Sequence, residues 1–353
     1  MNQRLRVGLI GLGRVAMALE EDPLREKPCT HLGAWLACPE VEIVAGADLN
    51  VTTNNTLKAK IPGSRLYTDY QAMLKDNALD MVSVCGYATE RAEMIEAACA
   101  MGVKGIWAEK ALACSMKEIT WIEQALSTHR TALIVNHLRR WMPHYQYARD
   151  LIQDGVLGQL ESVNVHFSGN MLHTGTHAFD LIRLLAGEVD SVQAWLKAEA
   201  GQNMQSGYRE SDSYGSDYGG FALMHLANGA VATVHGHDKN YFRFEFEILG
   251  SRGMMRIGNT QRELWLADAS TRFQQFTELA QREFGPVEDS NPWISAARDL
   301  INAVRTGGEV RSSVHDGKKA FEIGLATHIS HFEGNRPVSL INEALPDYYA
   351  FSR

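Results

Sequence analysis

What this 353-residue chain lacks narrows it first. It has no run of Lys or Arg and its net charge is −8, so the electrostatic footprint of a nucleic-acid or anionic-membrane binder is missing. No apolar stretch approaches the length of a membrane span. Cysteine is sparse and unpatterned: Cys29, Cys38, Cys85, Cys99 and Cys114 are odd in number and never form a C-x-x-C pair. That usage argues against a disulfide framework or a cysteine zinc site, and it fits a reducing cytoplasm. Internal repeats and low-complexity tracts are also missing. Met1-Asn2-Gln3-Arg4 leads straight into a strand pattern, so no secretory signal is expected ahead of the fold. The length exceeds that of one usual domain and suggests two.

What is present begins with an apolar run, Leu5 to Ile10, that breaks into Gly11-Leu12-Gly13-Arg14-Val15-Ala16. The spacing is G-x-G-x-x-A after a strand and before a helix, the context of a dinucleotide-binding turn. Gly11 permits the tight turn, Gly13 removes a Cβ that would block the phosphates, and Ala16 lets the helix pack on the strand. The helix N-terminus then offers unpaired N–H groups to the pyrophosphate. A second apolar run, Val41 to Ala47, ends at Asp48, a carboxylate suited to the ribose hydroxyls and hostile to a 2′-phosphate. NAD is therefore favoured over NADP. Gly13 and Asp48 stand much further apart than the usual twenty or so residues. The charged, proline-containing segment Glu20 to His31 accounts for the excess as a loop inserted between the first helix and Leu32–Ala37.

Strands and helices alternate through residue 138: strands at Leu79–Cys85, Val103–Ala108 and Thr131–Val135, helices at Thr89–Ala100 and Ser115–Thr128, the latter with Ser115 as N-cap. This predicts an α/β fold whose first domain, 1–138, is a doubly wound parallel Rossmann sheet. From 139 to 353 the pattern changes. Helices at His144–Gln153 and Thr174–Leu185 flank a strand at Leu160–Phe167. Strands follow at Val189–Ala198, Gly219–Leu226, Ala230–His237, Phe242–Leu249 and Met254–Ile257, with Asn228-Gly229 as a hairpin turn. Helices at Pro292–Arg305 and Asp316–Phe332 close the second domain, which reads as α+β with a large, open, mostly antiparallel sheet. Gly201–Gly220, with Tyr208, Tyr214 and Tyr218 among Ser, Asp and Gly, reads as a surface loop able to close over a polar ligand.

Chemistry gathers where parallel strands end, the edge at which such sheets bind ligands. Glu109-Lys110-Ala111 follows the fourth strand of this reading. A lysine there can hold a substrate hydroxyl, with Glu109 fixing the ammonium. Asn136-His137-Leu138-Arg139-Arg140-Trp141 follows the next; one of the two arginines is expected to face the cleft, and Trp141 to lie in the core. Gly11, Leu12, Gly13, Arg14, Val15, Asp48, Cys85, Gly86, Tyr87, Glu109, Lys110 and Asn136 form the expected cofactor contacts. In the second domain His173, His177 and Asp180 share one face of a helix by i,i+4 and i,i+3 spacing. His173 and His177 also have metal-ligand spacing, and His235 with His237 could complete a site. No acid-and-water arrangement accompanies them, and no metal is expected.

With these motifs the sequence resembles the glucose–fructose oxidoreductase and inositol dehydrogenase (Gfo/Idh/MocA) family. The carriers are the Gly11–Ala16 turn, Glu109-Lys110, Gly175-x-His177-x-x-Asp180 and the Leu249-Gly250-Ser251-Arg252-Gly253 turn. The resemblance implies NAD(P)-dependent oxidation of a sugar or polyol CH–OH, and a homodimer or homotetramer formed through the second sheet. It also implies that Lys110 polarises the reacting oxygen and that His177 is the general base. Lys110, Arg139, His173 and His177 would line the substrate. Ala111 replaces the family's proline, Cys85-Gly86-Tyr87 its Thr-Pro, and His173 its aspartate. His173 thus contacts substrate, assists His177 or caps the helix. Two other activities stay open on this scaffold: glycosidic cleavage by transient oxidation with tightly held NAD, and a non-catalytic sensor of NAD and sugar.

Overall fold

The structure, a computed structural model, describes residues 4–198, 217–237, 241–288, 290–342 and 344–346. Most of the tyrosine-bearing segment, 201–216, lies outside the described residues.

The chain divides into two compact units. One holds the chain through Trp141 together with Ser290–Lys318; the other starts at Met142 and resumes at Lys319. In the first unit β1 (Leu5–Ile10), β2 (Val41–Ala47), β3 (Arg65–Tyr67), β4 (Met81–Val84), β5 (Gly105–Ala108) and β6 (Ala132–Val135) form a sheet in the order β3-β2-β1-β4-β5-β6. Every pairing is parallel. Val7, Leu9, Val82, Val84, Ile106, Ile134 and Val135 are fully buried, as strands covered on both faces require.

Helices α1 (His31–Leu36), α2 (Val51–Lys60), α3 (Tyr70–Asp76), α4 (Ala88–Ala100) and α5 (Met116–His129) connect these strands. Four start on side-chain caps: Thr30 accepts from the Gly33 N–H, Asn50 from the Thr52 N–H, Asp69 from the Gln71 N–H and Ser115 from the Glu118 N–H. The helix expected directly after the glycine turn is interrupted. One turn forms, with the Met17 N–H donating to the Gly13 carbonyl at 3.0 Å. The chain then leaves through a short 3₁₀ segment, Ala18–Glu21. It returns where the His31 N–H donates to the Val15 carbonyl (3.2 Å) and the Leu32 N–H to the Ala16 carbonyl (3.0 Å). The insertion therefore lies within the helical hydrogen-bond ladder, and α1 resumes where the first turn stopped. Glu20 closes the excursion by accepting from the Cys29 N–H (3.1 Å) and the Thr30 hydroxyl (2.7 Å).

Among the described residues the second unit contains α6 (Pro143–Gln153), α7 (Gly175–Ala186) and nine strands: β7 (Leu160–Ser168), β8 (Val189–Ala198), β9 (Asp217–Leu226), β10 (Val231–His237), β11 (Phe244–Gly250), β12 (Gly253–Gly258), β13 (Arg262–Ala269), β14 (Thr277–Arg282) and β15 (Val338–Ser339). They order as β14-β13-β12-β11-β7-β10-β9-β8-β15. Among the described residues, only β7 and β10 pair in parallel. Val163, Val165, Phe167, Ala232, Val234, Phe246 and Ile248 alternate onto the buried face. The other face carries Trp195, Phe221, Thr233, His235 and Glu247, half-buried or exposed.

Helix α8 (Pro292–Thr306) belongs to the first unit, although a boundary at 138/139 assigned it to the second. Its apolar stripe, Ala296, Ala297, Leu300 and Ile301, completes the core cluster of Trp35, Trp107 and Trp141. Gly105 lets it close on β5, since a Cβ there would stand 2.5 Å from the Val304 side chain. The chain passes back to the second unit within α9 (Val314–Phe332). No helix among the described residues is long and apolar enough to cross a membrane.

Candidate active site

Gly11, Asp48, Cys85, Glu109 and Asn136 each directly follow a strand of the parallel sheet: β1, β2, β4, β5 and β6. The ladder carries on one step beyond the strands, so these residues share the carboxyl edge. The Gly11 N–H donates to Ala47 O (2.9 Å), the Cys85 N–H to Ile10 O (2.8 Å), the Glu109 N–H to Val84 O (3.0 Å) and the Asn136 N–H to Ala108 O (2.8 Å). Gly11 has φ +79°, and a Cβ there would stand 2.8 Å from the Gly86 amide nitrogen. Its glycine identity is thus set by backbone packing as well as by the turn. A Cβ at Gly13 would meet nothing within 4 Å. That open side is the approach a pyrophosphate needs. Asp48 is tied to the same turn, its Oδ2 accepting from the Leu12 N–H at 2.7 Å and its Oδ1 from the Asn50 N–H at 2.8 Å. Arg14 and Tyr87 are exposed and Val15 half-buried along this edge.

Behind Lys110 lies a buried polar network. Glu109 Oε1 accepts from the Asn136 amide (2.5 Å) and meets His31 Nε2 (3.1 Å). The other His31 nitrogen meets Ser83 Oγ at 3.1 Å, and Ser83 accepts from the Trp35 indole at 2.8 Å. Asn136 Oδ1 accepts from the Trp107 indole at 3.2 Å. Burial opposes ionisation of Glu109, but the hydrogen bond and charge of His31, then the Asn136 donor and Lys110, outweigh it and hold the carboxyl at about 2. Lys110 is half-buried. Burial lowers its ammonium to about 8 against the pull of Glu109, with Arg91 and Arg139 adding to the fall. Burial, and then Glu109, push the Cys85 thiol well above its ordinary range, which leaves it a poor nucleophile.

Arg91 was not singled out in the sequence, yet it braces the same edge. Buried on α4, it donates to Gly86 O at 2.8 Å and to the Ala111 carbonyl, joining the loops after β4 and β5. The Lys110–Ala111 peptide is cis. Of the two arginines after β6, Arg140 is structural: buried, it pairs with Asp316 (2.9 Å) and donates to Arg311 O (2.9 Å). Arg139 lies close enough to influence Lys110. Trp141 is core, its indole donating to Asp299 at 3.1 Å.

In the second unit α7 begins at Gly175, so His173 lies in the turn before the helix and the i,i+4 relation to His177 does not hold. Asn170 stabilises that turn, its side chain accepting from the His173 N–H at 2.9 Å. His173 is exposed, His177 half-buried and Asp180 buried. His235 and His237 lie on β10 with rings stacked on His166 of β7, at 4.6 and 5.2 Å between centroids. Among the described residues no group of three or more His, Cys, Asp or Glu has the geometry to hold a metal ion.

A family model for an oxidoreductase family with an NAD-binding Rossmann fold matches residues 5–137, and a Gfo/Idh/MocA C-terminal domain model matches 168–256. The chain belongs to the Gfo/Idh/MocA family. The sequence is 25% identical over 335 residues to D-apiose dehydrogenase of Paraburkholderia graminis, spanning 86% of this chain and 84% of that protein. It is 23% identical over 338 residues to inositol 2-dehydrogenase of Rhizobium meliloti, spanning 91% and 95%. The fold superposes on levoglucosan dehydrogenase in complex with NADH and levoglucosan with a TM-score of 0.76 at 21% identity, covering 97% of this chain and 100% of that one.

Membership in a family of NAD-binding oxidoreductases accounts for the crowded carboxyl edge. It does not by itself identify His31, Ser83 and Arg91, the residues that fix the edge from behind. Apart from Gly86, five positions from Arg91, their partners are 20 to 78 positions distant, beyond any local spacing rule. A histidine opening a helix after a Thr30 cap was the only available hint.

Proposed function

We propose that this member of the family is an NAD-dependent dehydrogenase of a sugar, polyol or sugar-derivative carbinol. The observation that carries the reading is Lys110: an amine lowered to about 8 at the sheet edge that also bears the glycine turn and the Asp48 carboxylate. NAD fits this edge, with the pyrophosphate on the open side of Gly13 and the ribose hydroxyls on Asp48. When bound, the nicotinamide supplies the hydride acceptor. Lys110 orients and polarises the substrate oxygen, and His177 removes its proton as general base. Arg139 and His173 contribute to substrate binding. The reading also makes the protein a cytoplasmic homodimer or homotetramer. The free state of all five cysteines supports the first, and the aromatic open sheet face of the second unit supports the second.

The test is a panel of sugars, inositols and nucleotide sugars assayed at the nicotinamide band with NAD⁺ and with NADP⁺. NADH formation from at least one, with NAD⁺ preferred, is the expected result. Cleavage of a glycoside without net NADH would replace this reading by the transient-oxidation one. Loss of the Asp48 hydrogen bonds should cost about 1.5–3 kcal/mol, a rise in Kd of about 10- to 150-fold. Asp48→Ala should therefore weaken NADH binding by that factor in a fluorescence titration, and an unaltered Kd would remove the ribose role.

A further inference from the structure

Outside the parallel sheet, one buried ionised group has no role in the reading so far. Asp217 opens β9 and is 3% exposed. Its Oδ1 accepts from the Met171 N–H at 2.6 Å and the Gly219 N–H at 3.0 Å, and its Oδ2 from the Leu172 N–H at 3.4 Å. Oδ2 also faces His328 Nε2 at 3.2 Å. His328 is fully buried on α9, and its Nδ1 donates to the Gly324 carbonyl at 2.9 Å. One ring nitrogen thus bonds a carbonyl of its own helix and the other faces the carboxylate. Burial opposes ionisation of Asp217, but His328 and the backbone donors outweigh it and lower its pKa.

The backbone around this clasp is shaped to meet it. Gly219 has φ +95°, and a Cβ there would collide with the Gly236 carbonyl. Gly169 has φ +137°, and a Cβ there would collide with the Thr174 hydroxyl. The start of β9, the end of β10 and the 169–174 turn therefore pack backbone to backbone, with the carboxylate beneath the turn. Asn170 continues the chain of contacts by accepting from the His173 N–H, and the His177 N–H donates to Thr174 O at 3.1 Å. A buried ion pair is weak grounds for stability, because desolvating both charges costs about as much as their attraction returns. Its better-attested use is to fix one arrangement among several.

We propose that Asp217, backed by His328, is a positioning residue that sets the turn delivering His173 and His177. The proposal rests on the reading that these histidines act on substrate, and its test separates the two. In the full chain with NADH, Asp217→Asn replaces an acceptor pair by an amide that cannot satisfy the same N–H groups. Hydrogen exchange at the Met171 and Leu172 amides should accelerate at least tenfold. The rate of diethyl pyrocarbonate modification at His177, read by mass spectrometry, should change severalfold, and NADH affinity should stay within twofold of wild type. His328→Gln keeps a donor toward Asp217 and should retain most of the wild-type protection. Should Asp217→Asn not fold, His328→Leu, which removes that donor, gives the same readout.

With any polyol that the wild type oxidises, Asp217→Asn should lower kcat at least tenfold at an unchanged KM for NAD⁺. Unchanged exchange and unchanged His177 reactivity in a variant that still binds NADH would overturn the proposal. So would a loss of NADH binding in step with them, which would mark a general loss of structure. A wild type that oxidises nothing in the panel, yet shows the exchange effect, would overturn the proposed reaction and leave the clasp standing.

Discussion

Lys110→Ala should lower kcat by about 10²- to 10⁴-fold, the range that one positioned proton-handling group contributes, while the Kd for NADH stays within twofold. The split follows from placement. Lys110 follows β5, whereas the glycine turn and Asp48, which are proposed to hold the dinucleotide, follow β1 and β2. The amine's low value of about 8 gives a second readout. Its ammonium form is the one that orients a hydroxyl, so oxidation should weaken as pH rises through about 8. Arg139 is a like charge that depresses Lys110. Removing it as Arg139→Met should move that alkaline limb to higher pH, because the ammonium then loses less by staying charged. A limb that stays in place, or a Lys110→Ala enzyme with full kcat, would detach Lys110 from the chemistry.

Much of this was legible in the sequence, for reasons particular to each element. Leu5–Ile10 and Val41–Ala47 coincide with β1 and β2 because short apolar runs bounded by turn residues have few other uses. Ser115 is the N-cap expected of it. The misses share a cause, which is that their order comes from distant partners. β3 is three residues, Arg-Leu-Tyr, with no buried member, and only its pairing with β2 makes it a strand. β13 and β14 form an exposed, charged hairpin whose pattern reads as loop. α2 is polar almost all round and buries only Asn54 and Leu57, so no apolar stripe announces it.

In the site, the residues at strand ends were found because glycine spacing and charge at a strand terminus are local signals. The residues behind them were not. His31 was assigned to the inserted loop, yet it opens α1 and is fully buried. Once the insertion is set aside as an excursion within one helical ladder, the long gap between Gly13 and Asp48 no longer conflicts with the fingerprint.

That burial makes His31 the most consequential of the residues missed in the sequence. His31→Phe keeps a ring against Trp107, whose centroid is 4.2 Å away, but leaves Glu109 without its imidazole. Removing a hydrogen-bond partner from a buried carboxylate costs at least about 1–3 kcal/mol, since the remaining charge stays desolvated. The variant should lose about that much stability in urea titration, and kcat should fall with it as the Glu109–Lys110 loop loses its brace. Glu109→Gln removes the stranded charge. The double variant His31→Phe/Glu109→Gln should therefore be more stable than the sum of the singles predicts, by about 0.5–3 kcal/mol. Acid should erase the coupling. Glu109 is depressed in the fold, so its contribution is complete above the unfolded carboxyl value near 4.3 and is lost as pH falls toward about 2. Strict additivity at neutral pH would mean that His31 merely fills space beside Glu109.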